Sequence, residues 1–272
     1  MSLRINTNVE AFNAHRQLQR TQGDMSKAIE KLSSGLRINR AADDAAGLAI
    51  SEKLRAQVRG LAQATRNAQD GVSLVQTAEG ALNEIHSIIQ RVRELAVQYS
   101  NGTLSAADKA AITVEVSQLS AEIGRIASST TFNNIPLLQG AATITFQVGA
   151  NSGESIAISA VRLLDGAVPI INPAIFNWSP EASIDGVNAA LASVADARAS
   201  LGAVQNRLEH SINNLGVYQE NLSASESRIR DVDMASEMVN MTRLQILSQS
   251  GTSMLAQANQ APNSVLSLIQ GG

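Results

Sequence analysis

Histidine is the side chain most often recruited to carry a proton or hold a metal near neutral pH. This chain has three, His15, His86 and His210. No His-Glu-x-x-His sequence is present, so the zinc-peptidase pattern of two imidazoles and a carboxylate on one helical face is missing. His86 and His210 fall in stretches that read as helix, where packing or simple exposure explains them. Asp43-Asp44 is the closest approach to a paired-carboxylate acid or metal site, but it stands just ahead of a helical stretch, and capping that helix is the better reading. Gly149 and Gly153 are not followed by lysine, so they do not make a phosphate-binding loop. Arg228 and Arg230 with Asp231 and Asp233 read as a salt-linked junction. There is no cysteine, hence no disulfide, thiolate ligand or thiol nucleophile. The chain reads as non-enzymatic, with no metal and no cofactor.

Chemistry is thus thin, and the elements that would have positioned it carry the information instead. Of 272 residues 44% are hydrophobic but only 3% aromatic, so the apolar content is mostly Ala, Leu, Ile and Val. That suits long helices packed at close range. A net charge of −3, with basic residues scattered among acids, gives no electrostatic case for nucleic acid. No run of about 18 apolar residues exists to span a membrane, and the first twenty residues lack the apolar core of a secretory signal.

Five prolines divide the chain: Pro136, Pro169, Pro173, Pro180 and Pro262. Proline breaks helix interiors, so two long proline-free arms flank a short irregular middle. The first arm opens with a loosely spaced helix over 3–32. SSGLRINRAADDAAG follows, where Ser33, Ser34, Gly35 and Gly47 favour irregular structure. A long helix is then predicted over 45–99. Val58, Leu61, Thr65, Ala68, Val72 and Val75 step by threes and fours. After a phase slip Ala78, Leu82, Ile85, Ile89, Val92, Ala96 and Tyr99 resume the pattern. At ~1.5 Å per residue it would be about 80 Å long. Asn101-Gly102 marks a turn, Ser105 with Asp108 resembles a capping box, and a second helix runs to about 128. Ile144, Phe146 and Val148, then a Gly149–Gly153 turn, then Ile156 and Ile158, predict a β-hairpin within 141–160. Residues 161–183 read as a connector.

The second arm has the clearest period. Val187, Val194, Leu201, Leu208, Leu215, Leu222 and Ile229 are seven apart and all apolar, so they are candidates for helix packing in a rod-like bundle. The companion line, Leu191, Arg198, Gln205, Ile212, Gln219 and Glu226, is mostly polar. From Leu244 to Gly272 there is no Asp, Glu, Lys, Arg or His. A solvated tail would carry charge, and a membrane span would carry fewer amides. This end reads as built for burial against protein, with the N-terminal helix and the ends of neighbouring copies as partners.

Taken together, SLRINTNVEAFNA at the start, KLSSGLRINRAADDAAGLAISEKLR, NAQDGVSLVQTAEGALNEI and IQRVRELAVQ resemble the N-terminal region of bacterial flagellin. LGAVQNRLEHSINNL, ENLSASESRIRDVDMA and MLAQANQAPNSVLSLI resemble its C-terminal region. The resemblance covers about residues 1–160 and 184–272.

It implies a short form without large outer domains: a mainly α, elongated antiparallel helical bundle with one small β-hairpin. Its function would be to polymerise into a motility filament. A discontinuous terminal-helix domain, 1–44 and 231–272, would form the inner tube. Residues 45–230 would form the surrounding rod domain. Ile5, Val9, Phe12, Leu244, Leu247, Leu255, Val265, Leu266 and Leu268 become candidate inner-tube residues. The resemblance also implies export through the flagellar type III apparatus to an extracellular location and an export chaperone on the C-terminal segment. Filament cap and hook-associated proteins are further implied partners. A vertebrate Toll-like receptor is implied as a candidate partner at Arg91, Leu95 and Glu115. A hook–filament junction protein or a minor surface-displayed relative is the alternative role. An unrelated coiled-coil protein is the reading in which no filament forms.

Overall fold

The structure, a computed structural model, describes residues 7–139, 143–159 and 180–270; the side chains of 159, 180–183 and 261–270 lie outside the description. The chain is mainly helical. In order it forms α1 (Val9–Ser34), α2 (Ala45–Tyr99), α3 (Ala106–Ser129), β1 (Thr131–Phe132), β2 (Ile135–Pro136), β3 (Thr143–Gln147), β4 (Ser155–Ser159), α4 (Pro180–Arg230) and α5 (Met234–Gln270). It divides into two compact units, Met1–Ala56 with Asn221–Gly272, and Gln57–Glu220. Among the described residues, no helix is long and apolar enough to cross a membrane.

The second unit holds the large core. Leu82, Ile85, Ile89 and Val92 from α2, Ile112, Val116 and Ile123 from α3, and Val187, Val194, Leu201 and Leu208 from α4 are buried together. The expected hairpin adds Ile156 and Ile158 to it. β3 and β4 pair antiparallel with Ile144 opposite Ile158 and Phe146 opposite Ile156, so the alternate apolar residues share one face. Each buried aliphatic of this size contributes about 1.5–3 kcal/mol relative to exposure.

Two glycines of α2 seat this hairpin. A Cβ on Gly60 would lie 3.0 Å from Ala150 Cβ, and one on Gly71 would lie 3.3 Å from Phe146 Cγ and 3.2 Å from Leu208 Cδ1. Between them Asn67 Nδ2 donates to Gln147 O at 3.1 Å. The three positions follow at seven and four residues, so they share one face of α2.

The capping box is present: Asp108 N donates to Ser105 Oγ at 3.2 Å and Ser105 N donates to Asp108 Oδ2 at 3.1 Å. Strands β1 and β2 were not expected from the sequence. Asn133 and Asn134 join them with φ of 49° and 63°, a two-residue primed turn of the kind asparagine tolerates. The connector expected at 161–183 falls mostly on residues outside the description, and α4 starts at Pro180.

In the first unit α1 runs on through Ser33 and Ser34, where irregular structure is expected from composition. It stops at Gly35, whose φ of 72° is a left-handed cap and whose N–H donates to Lys31 O at 2.9 Å. Gly47, also expected to be irregular, lies inside α2; a Cβ there would come 2.8 Å from Ile38 Cδ1, so the glycine serves a close approach. The two aspartates before α2 divide their work. Asp44 Oδ1 accepts from Gly47 N at 2.8 Å and caps the helix, while Asp43 Oδ2 accepts from Asn39 N and Arg40 N and closes the loop. Those two backbone donors, that of Arg40 first, hold the Asp43 carboxyl below its usual range.

Candidate assembly site

The α4–α5 junction is tied to the loop after α1 by backbone. Leu36 and Asp231 form an antiparallel bridge, with Arg37 N donating to Arg230 O at 2.7 Å and Val232 N donating to Gly35 O at 3.0 Å. The salt links expected among Arg228, Arg230, Asp231 and Asp233 give way to other partners. Asp233 Oδ1 is occupied as the cap of α5, accepting from Ala235 N and Ser236 N. Arg230 instead pairs with Glu52 of α2, and Arg228 donates to Ser225 Oγ at 3.3 Å. Near-neighbours of opposite charge look like a pair in the sequence, but the cap has the stronger geometric claim on Asp233.

α1 and α5 pack along a seam in which small residues alternate with a few large ones. On α1 the inward positions are Ala11, Ala14, Leu18, Thr21, Met25 and Ala28. On α5 they are Leu244, Ser248, Gly251, Leu255 and Ala258. Both sets step by threes and fours, the period of a two-helix seam. Leu18 Cδ1 lies 3.2 Å from where a Cβ on Gly251 would be, and Asn8 Nδ2 donates to Ala258 O at 2.7 Å. Asn8 also caps α1 through Oδ1, which accepts from Ala11 N at 3.0 Å. Beside the seam runs a groove of about 900 Å³ lined by Leu18, Thr21, Leu247, Gly251 and Met254 among others.

Many of the larger apolar residues lie outside this seam. Val9 is 62% exposed, Phe12 69% and Met254 63%, and Ile29, Met238, Val239, Ile246 and Leu247 are also exposed. Of the inner-tube candidates, Leu244 is thus buried and Leu255 half-buried in the seam, while Val9, Phe12 and Leu247 face outward. Ile5 and the side chains of Val265, Leu266 and Leu268 lie outside the described residues. The Ala-Thr stripe of α1 escapes sequence reasoning because small residues give a weak apolar signal; its spacing by threes and fours is the available clue.

The seven-residue line of α4 is buried from Val187 to Leu215 and half-buried at Leu222 and Ile229. Its mixed companion line meets α2 at the edge of the core. There Arg198 pairs with Glu79 at 3.6 Å, and Arg93 of α2 donates to Asn188 Oδ1 at 3.0 Å.

Arg91 and Glu115 are brought together. Arg91 Nη2 donates to Glu115 Oε1 at 3.0 Å and Nη1 donates to Glu94 Oε2 at 3.0 Å. The hydrogen bonds to Glu94 and Glu115 raise the Arg91 pKa further above its already high value. Leu95 is not part of that surface: it is 2% exposed, inside the core.

The family model for the bacterial flagellin N-terminal helical region matches residues 5–143, and that for the C-terminal helical region matches 184–269. Flagellin of Halalkalibacterium halodurans is 54% identical over 98% of this chain and 99% of its own length. Flagellin of Bacillus subtilis is 46% identical over 98% of this chain and 100% of its own. A solved flagellar hook-associated protein of Vibrio parahaemolyticus, 13% identical, covers 70% of this chain and 100% of its own at a TM-score of 0.59, a likeness of fold alone. Matched at both ends by these models and aligned with such relatives nearly end to end, the chain belongs to the bacterial flagellin family and is a structural subunit of the extracellular flagellar filament.

Proposed function

We propose that the α1–α5 pair is the part of this filament subunit that joins it to its neighbours. The observation that carries this is the set of large apolar residues left exposed outside the intramolecular seam: Val9, Phe12 and Ile29 on α1, and Ile246, Leu247 and Met254 on a segment of α5 that carries no charged side chain from Leu244 onward. Burying such residues between copies supplies a driving force of about 25 cal/mol per Å² of apolar surface. Within the filament, residues 1–44 and 231–272 line the inner tube and 45–230 surround it. Val9, Phe12 and Leu247 then contact other copies, while Leu244 and Leu255 hold each copy's own pair together. Val187, Val194, Leu201, Leu208, Leu215, Leu222 and Ile229 hold the rod domain.

The same exposed face is the surface an export chaperone would cover before assembly, and filament cap and hook-associated proteins would meet at the ends of the polymer. Removing Leu244–Gly272 tests the assembly reading. The expected product is soluble, helical and unable to polymerise; normal filaments seen by negative-stain microscopy would overturn it.

Arg91 and Glu115 further form a charged surface for the vertebrate Toll-like receptor, with Leu95 supporting them from beneath. Charge-assisted hydrogen bonds of this type carry both strength and direction. A reporter-cell assay with monomeric protein tests this. Loss of response in Arg91→Ala supports the contact, and an unchanged response sinks it.

A further inference from the structure

Asn101-Gly102 is the one Asn-Gly pair in the sequence, and neither residue is used by the assembly described above. Both are exposed in the turn between α2 and α3. The turn is held by Asn101 N, which donates to Gln98 O at 3.1 Å. The Asn101 side chain folds forward over the backbone that follows it, with Oδ1 accepting from Thr103 N at 3.2 Å. The side-chain amide is thus held on the Gly102–Thr103 side of the turn. Among the described residues the Gly102 N–H has no acceptor, and nothing lies within 4 Å of the position a Cβ would take.

We propose that Asn101 is a modification site, converting spontaneously to aspartate and isoaspartate through a cyclic imide. The Gly102 nitrogen gives up its proton and attacks Asn101 Cγ, forming a new bond between nitrogen and carbon. Negative charge develops on Oδ1, where the Thr103 N–H already donates. The bond from Cγ to Nδ2 then breaks, and Nδ2 leaves with protons as ammonia. Water opens the imide at either carbonyl, giving an ordinary aspartyl or an isoaspartyl linkage. No oxidation or reduction is involved. A side chain at 102 would obstruct the attack, and glycine offers none while letting the backbone take the required torsion. Other asparagines are less well placed. Ser152 follows Asn151 and carries a Cβ, and the Asn151 amide is held by Glu154 Oε1 at 3.0 Å. Asn213 and Asn214 lie within the regular backbone of α4.

The conversion has a local consequence. It adds a negative charge to a protein of net −3, just beyond the C-terminus of α2, whose last turn contains no basic residue. An anion there opposes the helix dipole. The isoaspartyl product also lengthens the backbone by one methylene inside the turn.

The test is ageing of the purified full-length protein at mildly alkaline pH. Peptide mapping follows the mass increase of an amide-to-acid exchange, and isoaspartyl methyltransferase labelling identifies the rearranged linkage. Conversion is expected to accumulate at Asn101 before any other asparagine. It is expected to slow by about ten-fold or more in Gly102→Ala, because the added Cβ restricts the torsion and crowds the nitrogen. Asn101→Gln should abolish it. If Asn101 stays amidated in the folded protein while a urea-unfolded sample converts, the fold protects the site and the proposal fails. A glycan on Asn101 in native filaments would overturn it as well.

Discussion

The Arg91 guanidinium reaches from α2 to the Glu115 carboxylate of α3, its Nε and Nη2 donating to the same oxygen at 3.2 and 3.0 Å. Both side chains are about half exposed, so water and salt screen the pair, and exposed pairs of this kind contribute little to folding. Arg91→Ala and Glu115→Gln are therefore expected to leave the thermal unfolding midpoint nearly unchanged. Any loss they cause in filament formation or receptor response then reports a lost intermolecular contact. Parallel calorimetry and polymerisation assays separate the two; a large fall in the midpoint would mean that the pair is structural.

At Gly71, α2 meets both α4 and the β3–β4 hairpin. Gly71→Val puts branched methyls where Phe146 and Leu208 already stand at 3.2–3.3 Å from the Cβ position. Overpacking of this kind costs about 1–3 kcal/mol. The expected readout is a lower denaturant midpoint together with faster amide exchange in β3 and β4. Gly80, with nothing within 4 Å of its Cβ position, is the control: Gly80→Ala in an exposed helix position should stabilise by about 0.5–1 kcal/mol.

Much of this is legible in the sequence, and the reasons differ by element. The bounds of α2, the Ser105–Asp108 cap and the Ile144–Ile158 register rest on local rules: period, cap chemistry and alternation. Such rules operate within a few residues. Missed features depend on what a residue meets far away. Nothing near Arg230 in sequence points to Glu52, and nothing near Gly47 points to Ile38. Leu95 lies outside the α2 stripe read from the spacing, and the family resemblance directs attention to it as a contact, whereas it is buried in the core that α2 shares with α3 and α4. The α1 seam is hidden for a different reason. The exposed Val9, Phe12 and Ile29 are more hydrophobic than the half-buried Ala11 and the buried Thr21 and Ala28, so hydropathy points to the wrong face. That inversion is expected of a helix whose larger partner is another molecule.

Asp108 sets a pH limit on the start of α3. Hydrogen bonds from the Ser105 hydroxyl and then the Ser105 N–H hold its carboxyl below its usual 3.8. A carboxyl depressed on folding contributes stability above its unfolded pKa and loses that contribution as pH falls through the lower folded value. Amides of 105–109 should therefore exchange faster, relative to the rest of α3, as pH drops below about 3.8, and not between neutrality and that point. Asp108→Asn should remove this step from the profile. A step at higher pH would assign it to another group.

The α4 line should show graded energetics. Leu208 is fully buried against Gly71, whereas Leu222 is half-buried. Leu208→Ala is expected to cost about 2–5 kcal/mol, the range for a leucine removed from a packed core. Leu222→Ala should cost clearly less, because water already reaches the side chain. Equal losses in chemical denaturation would mean that Leu222 is covered by a second molecule.

Gly251 and Phe12 separate the seam from the outward face. A Cβ at Gly251 meets Leu18 Cδ1 at 3.2 Å, so the branched side chain of Gly251→Val overpacks the seam between α1 and α5. It should reduce protection of both helices against amide exchange, at a cost of about 1–3 kcal/mol to the pair, and raise the concentration needed for polymerisation. Phe12→Asp touches no part of the seam. The monomer's helicity and exchange protection should be unchanged, yet polymerisation should be lost, because a charge would have to be buried between copies without a partner. If Phe12→Asp instead loosens the monomer, the exposed face belongs to the intramolecular pair. If it polymerises normally, Phe12 lies at no contact between copies. Only failure to assemble from an intact monomer fits a subunit that keeps Phe12 exposed on its own helix pair for contact with its neighbours.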